Sequence, residues 1–153
     1  DFTEGRLLLP LDNNEVTDQF GTLRLYGTYN RRTKRTKIES QVPHGGVDLR
    51  AQTPLPVVAI NSGKVLLTHN FPLRGTEGKM LVVDHGSGVL SLYLHLSKFT
   101  VKTGDTDTRG QVVALTGATP RGTPPHLHFM VKVHGTNVDP LKFIDTMNQH
   151  LNK

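Results

Sequence analysis

The sequence predicts a mainly β fold, a compact antiparallel sheet or sandwich core with long loops and one short C-terminal helix. Two observations carry this expectation. Short runs rich in β-branched and aromatic residues recur between residues 57 and 133, and Gly, Pro and other turn formers separate them. Their close spacing fits a meander or sandwich rather than βαβ units, in which helical crossovers would have to intervene.

The elements follow in chain order. Val57, Val58 and Ile60 mark a first strand at 57–60, and Val65, Leu66 and Leu67 a second at 64–68. Leu81, Val82 and Val83 define a third at 80–84, joined through His85-Gly86-Ser87-Gly88, a hairpin-turn sequence, to a fourth at 89–94. Residues 111–115 make a fifth. In the last run Leu127, Phe129, Val131 and Val133 recur at every second position, so all four share one face. Only 140 to about 150 reads as a helix, with Pro140 in a starting position and Leu141, Ile144 and Met147 three apart. Asp84 and Asp139 fit turn and helix-cap roles.

At 153 residues the chain can bury one core, and 35% hydrophobic with 6% aromatic content makes it a modest one. No run approaches the roughly 18 apolar residues of a membrane span. Cysteine is absent, which removes disulfides and thiolate ligands. A start at Asp1 rather than Met is compatible with a piece of a longer, exported protein. The net charge is +5, and Arg31, Arg32, Lys34, Arg35 and Lys37 crowd into seven positions. No aromatic stacking platform or recognisable nucleic-acid module accompanies this run, so nucleic acid is not expected as a partner. A solvated loop is the ordinary reading of such a run. The functional alternative is a basic wall that steers an anionic polymer into a groove.

The chemistry concentrates in three segments. His126-Leu127-His128 sets two imidazoles two residues apart, on the same side of an extended backbone. His44-Gly45-Gly46-Val47-Asp48 offers a His and a carboxylate, also on one face if the glycines do not break the extension, and the glycines leave room for metal or substrate. Tyr93-Leu94-His95-Leu96 adds a further His on a strand. His nitrogens and an Asp oxygen are the ligand types of a catalytic zinc, which keeps three protein ligands and an open position for water. Tyr93, two residues before His95, is a candidate to face the same groove and touch substrate, with core packing as the competing role. His69, His85, His134 and His150 are read as surface or hydrogen-bonded residues.

In order and spacing these segments resemble the M23 zinc metallopeptidases, the lysostaphin and LytM type that cuts peptide cross-links in bacterial cell walls. That family's H-x-x-x-D, H-L-S-like and H-x-H motifs stand here as His44 to Asp48, His95-Leu96-Ser97 and His126 to His128, and the likeness runs from about residue 41 to 141. Gly63-Lys64-Val65, Val83-Asp84-His85-Gly86, Gly110-Gln111, Thr116-Gly117 and Val138-Asp139-Pro140 agree with it. The resemblance implies a LytM-type fold with groove-forming loops, in which 41–153 form the peptidase core and 1–40 an N-terminal extension packed on it. It implies Zn²⁺ held by His44, Asp48 and His128, with His126 as the general base and His95 stabilising the oxyanion. The implied substrate is the peptide cross-link of peptidoglycan, met in the periplasm or outside the cell.

Two departures and two other readings accompany the resemblance. Thr119-Pro120-Arg121 and Thr123-Pro124-Pro125 set proline where the family's loop before H-x-H usually carries two of its glycines, so a stiffer and differently shaped loop is expected. Met130 takes the place of a frequent acidic residue. A non-catalytic M23-like domain that activates a wall amidase is the alternative function, although such activators typically lose zinc-site residues. A lipoyl- or biotinyl-like carrier, prompted by 101–105 and Gly110-Gln111, lacks a lysine in a recognisable modification motif.

Overall fold

The computed structural model describes residues 5–52, 54–71, 78–117, 119 and 125–151. The elements are β1 (Val16–Asp18), β2 (Leu23–Asn30), β3 (Arg35–Pro43), β4 (Val47–Arg50), β5 (Pro56–Val58) and β6 (Gly63–Phe71). They continue with β7 (Gly78–Asp84), β8 (Val89–Phe99), β9 (Thr106–Asp107), β10 (Val112–Thr116), β11 (His126–Val133), β12 (Thr136–Val138) and α1 (Pro140–Leu151). Among the described residues, no helix is long and apolar enough to cross a membrane.

Ten strands form one antiparallel sheet with the path β1-β4-β11-β8-β7-β6-β9, from which β10, β5 and β12 branch. The meander expected from the spacing is β6-β7-β8, closed between the last two by the turn at 85–88, where the His85 amide donates to the Val89 carbonyl at 2.9 Å. The Asp84 carboxylate accepts from the Gly86 amide within that turn, and Asp139 caps α1 by accepting from the Lys142 amide at 3.2 Å.

Alternation on β11 decides which side of the sheet is core. Leu127, Phe129 and Val131 are fully buried with Leu49, Leu81, Val83 and Tyr93, while His126 and His128 point to the opposite face. Tyr93 and Phe129 stack at 5.5 Å between ring centroids. The N-terminal segment reaches the same core through Leu7 and Leu11. Backbone bonds from Leu8 to Ile60 and from Val58 to Pro10 hold it, as does Asn148 of α1, which bonds both the amide and the carbonyl of Leu7.

The basic run departs from the loop expected of it. Residues 31–34 are the turn of a hairpin in which β2 and β3 pair from Leu23↔Pro43 to Asn30↔Arg35, a two-stranded sheet separate from the ten-stranded one. Alternation is too weak there to mark strands, because every side chain from 28 to 37 is exposed and no buried face imposes a period.

Candidate metal centre

Asp48 and His128 meet because β4 and β11 pair antiparallel with these two residues directly opposite. The His128 Nδ1 lies 2.8 Å from the Asp48 Oδ1. His44 arrives differently from expectation. It follows the end of β3, and Gly45-Gly46 bend the chain before β4 begins, so His44 and Asp48 do not share a strand. The bend nevertheless brings the His44 Nε2 to 3.3 Å from the Asp48 Oδ1 and 3.1 Å from the His128 Nδ1. Gly46 is needed for another reason than access for metal or substrate. A Cβ there would collide with the Phe129 carbonyl oxygen and stand 2.7 Å from the Met130 Cγ, so its bareness lets the bend pack on β11.

Backbone contacts hold His44 in place. Its amide and carbonyl bond to Thr22 and Gly21, and its Nδ1 lies 3.0 Å from the Gln19 carbonyl oxygen. A carbonyl only accepts, so Nδ1 carries the proton and the Nε2 lone pair faces the cluster. The Asp18 carboxylate stands 3.5 Å from the same Nδ1. Sequence reading misses Gln19, and nothing in the sequence could reveal it, since a backbone carbonyl has no residue signature.

These three donors can hold a metal. Ligand atoms roughly 2.0–2.2 Å from a tetrahedral zinc sit about 3.3–3.6 Å apart, and the observed separations of 2.8, 3.1 and 3.3 Å are close to that. Two buried or half-buried imidazole nitrogens and a carboxylate oxygen converge on one point, with a lone pair directed inward from His44. A cation is the species that satisfies such a set. Burial pushes the Asp48 carboxyl up, but the hydrogen bond with His128 and the charges of His126, His128 and His44 outweigh it and hold the group below its ordinary 3.8.

The His126 Nε2 lies 3.6 Å from the other oxygen of Asp48, Oδ2. His95 packs edge-on against His126 at 4.9 Å between centroids and lies 6.3 Å from His128. It reaches this position from a bulge in β8, where the register against β7 shifts opposite Met80 and His95 takes a left-handed φ of 65°. A non-glycine residue held there is strained, and such strain gathers at functional sites. The structure thus brings His44, Asp48, His95, His126 and His128 into one cluster.

Tyr93 is the exception. It is fully buried on the core face, its hydroxyl 2.9 Å from the Ser91 Oγ and 3.5 Å from the Ile60 amide, so it does not face the groove and the substrate contact considered for it is corrected to packing. The reason lies in the bulge, which interrupts the alternation that would have put Tyr93 and His95 on one side. Of the remaining histidines, His69, His134 and His150 are exposed, and His85 is buried and hydrogen-bonded. The expectation of a stiff proline loop rests on residues 119–125, of which 120–124 lie outside the described residues.

Residues 42–140 match the profile of Peptidase family M23. The chain is 40% identical over 114 residues to Peptidoglycan DD-endopeptidase ShyB of Vibrio cholerae, a match covering 74% of this chain and 26% of that protein. It is 36% identical over 134 residues to Peptidoglycan DD-endopeptidase ShyA of the same organism, covering 87% and 28%. The chain therefore spans little more than a quarter of the length of these relatives. In structure it resembles a zinc-containing peptidase from Vibrio cholerae, with a TM-score of 0.70 at 37% identity, over 89% of this chain and 39% of that one.

Proposed function

Because the chain belongs to peptidase family M23, we propose that it is a zinc endopeptidase acting on the stem-peptide cross-links of bacterial peptidoglycan, in the periplasm or the wall. Residues 41–153 serve as the peptidase core and 1–40 as an extension packed on it. The observation that carries the reading is the convergence of the His44, Asp48 and His128 donor atoms within 2.8–3.3 Å of one another. His44 Nε2, His128 Nδ1 and Asp48 Oδ1 would hold the zinc. When bound, it polarises the scissile carbonyl and brings the pKa of a water toward neutrality.

The remaining work falls to the two histidines that hold no metal. His126, beside the Asp48 Oδ2, takes the proton of the attacking water and later returns it to the leaving amine. His95 donates to the oxygen that gains charge as the carbonyl is attacked, and its bulged backbone keeps the ring beside His126 before substrate arrives.

The test is digestion of purified sacculi of defined cross-link chemistry, with mass analysis of the released fragments and elemental analysis of the protein. Shortened peptides and about one zinc per chain are expected. Release of sugars with intact peptides would refute the reading. So would the absence of any product from zinc-loaded protein combined with stimulation of an added amidase, the outcome that belongs to a non-catalytic activator.

A further inference from the structure

Five cations crowd residues 31–37 of the β2–β3 hairpin, and their placement says more than their number. Arg31, Arg32, Lys34, Arg35 and Lys37 are all exposed, and none forms an ion pair among the described residues. Without them the chain's remaining lysines and arginines equal its 13 acidic residues, so this hairpin holds the whole net charge of +5. The root of the hairpin is the metal centre itself, since β3 ends at Pro43 and His44 follows. At about 3.3 Å per residue the strands carry the charges roughly 25 Å from His44.

The surface between the charges has a composition of its own. Thr28, Asn30, Thr33, Arg35, Thr36 and Lys37 line a shallow cleft, and Tyr29 beside it is 57% exposed. Three hydroxyls, an amide and two cations suit a ligand that combines sugar hydroxyls with carboxylates. Residues 30–37, the turn and the strand ends beside it, have no apolar side chain to insert among lipid chains, which sets them apart from a membrane-binding surface.

We propose that the β2–β3 hairpin is a binding arm for the anionic, carboxylate-bearing glycan–peptide polymer, gripping it roughly 25 Å from the bond at the metal centre. This rests on the peptidoglycan reading and adds to it a second point of attachment. Contacts remote from the reacting bond hold a polymeric substrate without touching the chemistry, and contacts made by clustered exposed cations weaken steeply with salt.

The experiment is co-sedimentation of the full, zinc-loaded chain with insoluble sacculi at low and moderate salt. Three proteins are compared: the unaltered chain, a variant with Arg31, Arg32, Lys34, Arg35 and Lys37 all changed to Gln, and a control with Lys64, Lys98, Lys102, Lys132 and Lys142 all changed to Gln. Circular dichroism and zinc content establish that each is folded. The arm variant is expected to bind at least about tenfold more weakly and to lose most of its salt dependence, while the control keeps both. Equal losses in the two variants would show a net-charge effect and overturn the proposal, as would unchanged binding of the arm variant. Vesicles of anionic phospholipid are the competing probe, and arm-dependent binding to them as tight as to sacculi would also overturn it. Cleavage of a short soluble cross-linked peptide by the unaltered chain reports separately on the endopeptidase reading, so a failure there is distinguishable from a failure of the arm.

Discussion

The Gly117 amide donates to the His95 carbonyl at 2.7 Å, and a Cβ at residue 117 would stand 2.7 Å from both the Leu96 carbonyl carbon and the Ser97 amide nitrogen. Gly78 approaches from the other side, where a Cβ would lie 3.1 Å from the His95 Cα. Between them the two glycines enclose the left-handed bulge that aims His95 at His126.

Gly117→Ala is therefore expected to displace His95 while leaving His44, Asp48 and His128 in place. Zinc content should stay near that of the unaltered protein, and turnover should fall by about 10²-fold, as for a catalytic group moved by an ångström or so. His95→Ala should cost about 10² to 10³. In a His95→Ala background the second substitution should cost little more, because the group it displaces is already gone. Rate measurements on the four proteins check this, and multiplicative losses would show that Gly117 acts elsewhere.

His126 and His128 should separate in their phenotypes. His128→Ala removes one of three donors, so both zinc and activity should be lost. His126→Ala retains the trio, so zinc should remain while turnover falls by roughly 10² to 10⁴. Zinc analysis and cross-link cleavage on both variants decide the roles, and the reverse pattern of zinc retention would exchange them.

Tyr93→Phe tests the core assignment. The change removes the hydroxyl 2.9 Å from Ser91 without altering the stack on Phe129, so stability should fall by about 1–3 kcal/mol for the unsatisfied partners left behind. Cleavage by the folded protein should be nearly unaffected. A large rise in KM at unchanged stability would return Tyr93 to the groove.

Acid stability should depend on His85. Burial is the main influence and pushes its imidazole below the ordinary 6.5, against the opposing effects of the Ser62 carbonyl bond and Asp84. The unfolded chain binds a proton here more readily than the folded one, so the stability due to neutral His85 is fully present above about 6.5 and drains away as pH falls through the lower, folded value. Urea midpoints between pH 7.5 and 5 should fall less steeply for His85→Gln than for the unaltered protein. Parallel profiles would rule His85 out as the cause.

Much of the candidate metal centre is legible in the amino-acid sequence because period and spacing encode it locally. His126 and His128 share a face by strand geometry alone, and the helix at Pro140–Leu151 announces itself by a proline start and a three-residue apolar rhythm. The outer part of the β2–β3 hairpin is not legible there, since the exposure of every side chain from 28 to 37 removes the alternation that marks a strand. Tyr93 is open to two readings because a bulge is a defect in register, and register is set by the partner strand rather than by the strand's own residues.

Residue chemistry and short-range geometry, which sequence determines by itself, named the imidazoles and the carboxylate and gave them an order along the chain. Only the tertiary structure decided how they meet. The pairing of β4 with β11 sets Asp48 opposite His128, the glycine bend delivers His44 from outside that pairing, and the bulge turns His95 inward. The Gln19 carbonyl then fixes which nitrogen of His44 faces the site. Each of these depends on contacts between segments distant in the chain, whose closeness follows from burying Leu49, Tyr93, Leu127 and Phe129 in one core and not from any local pattern.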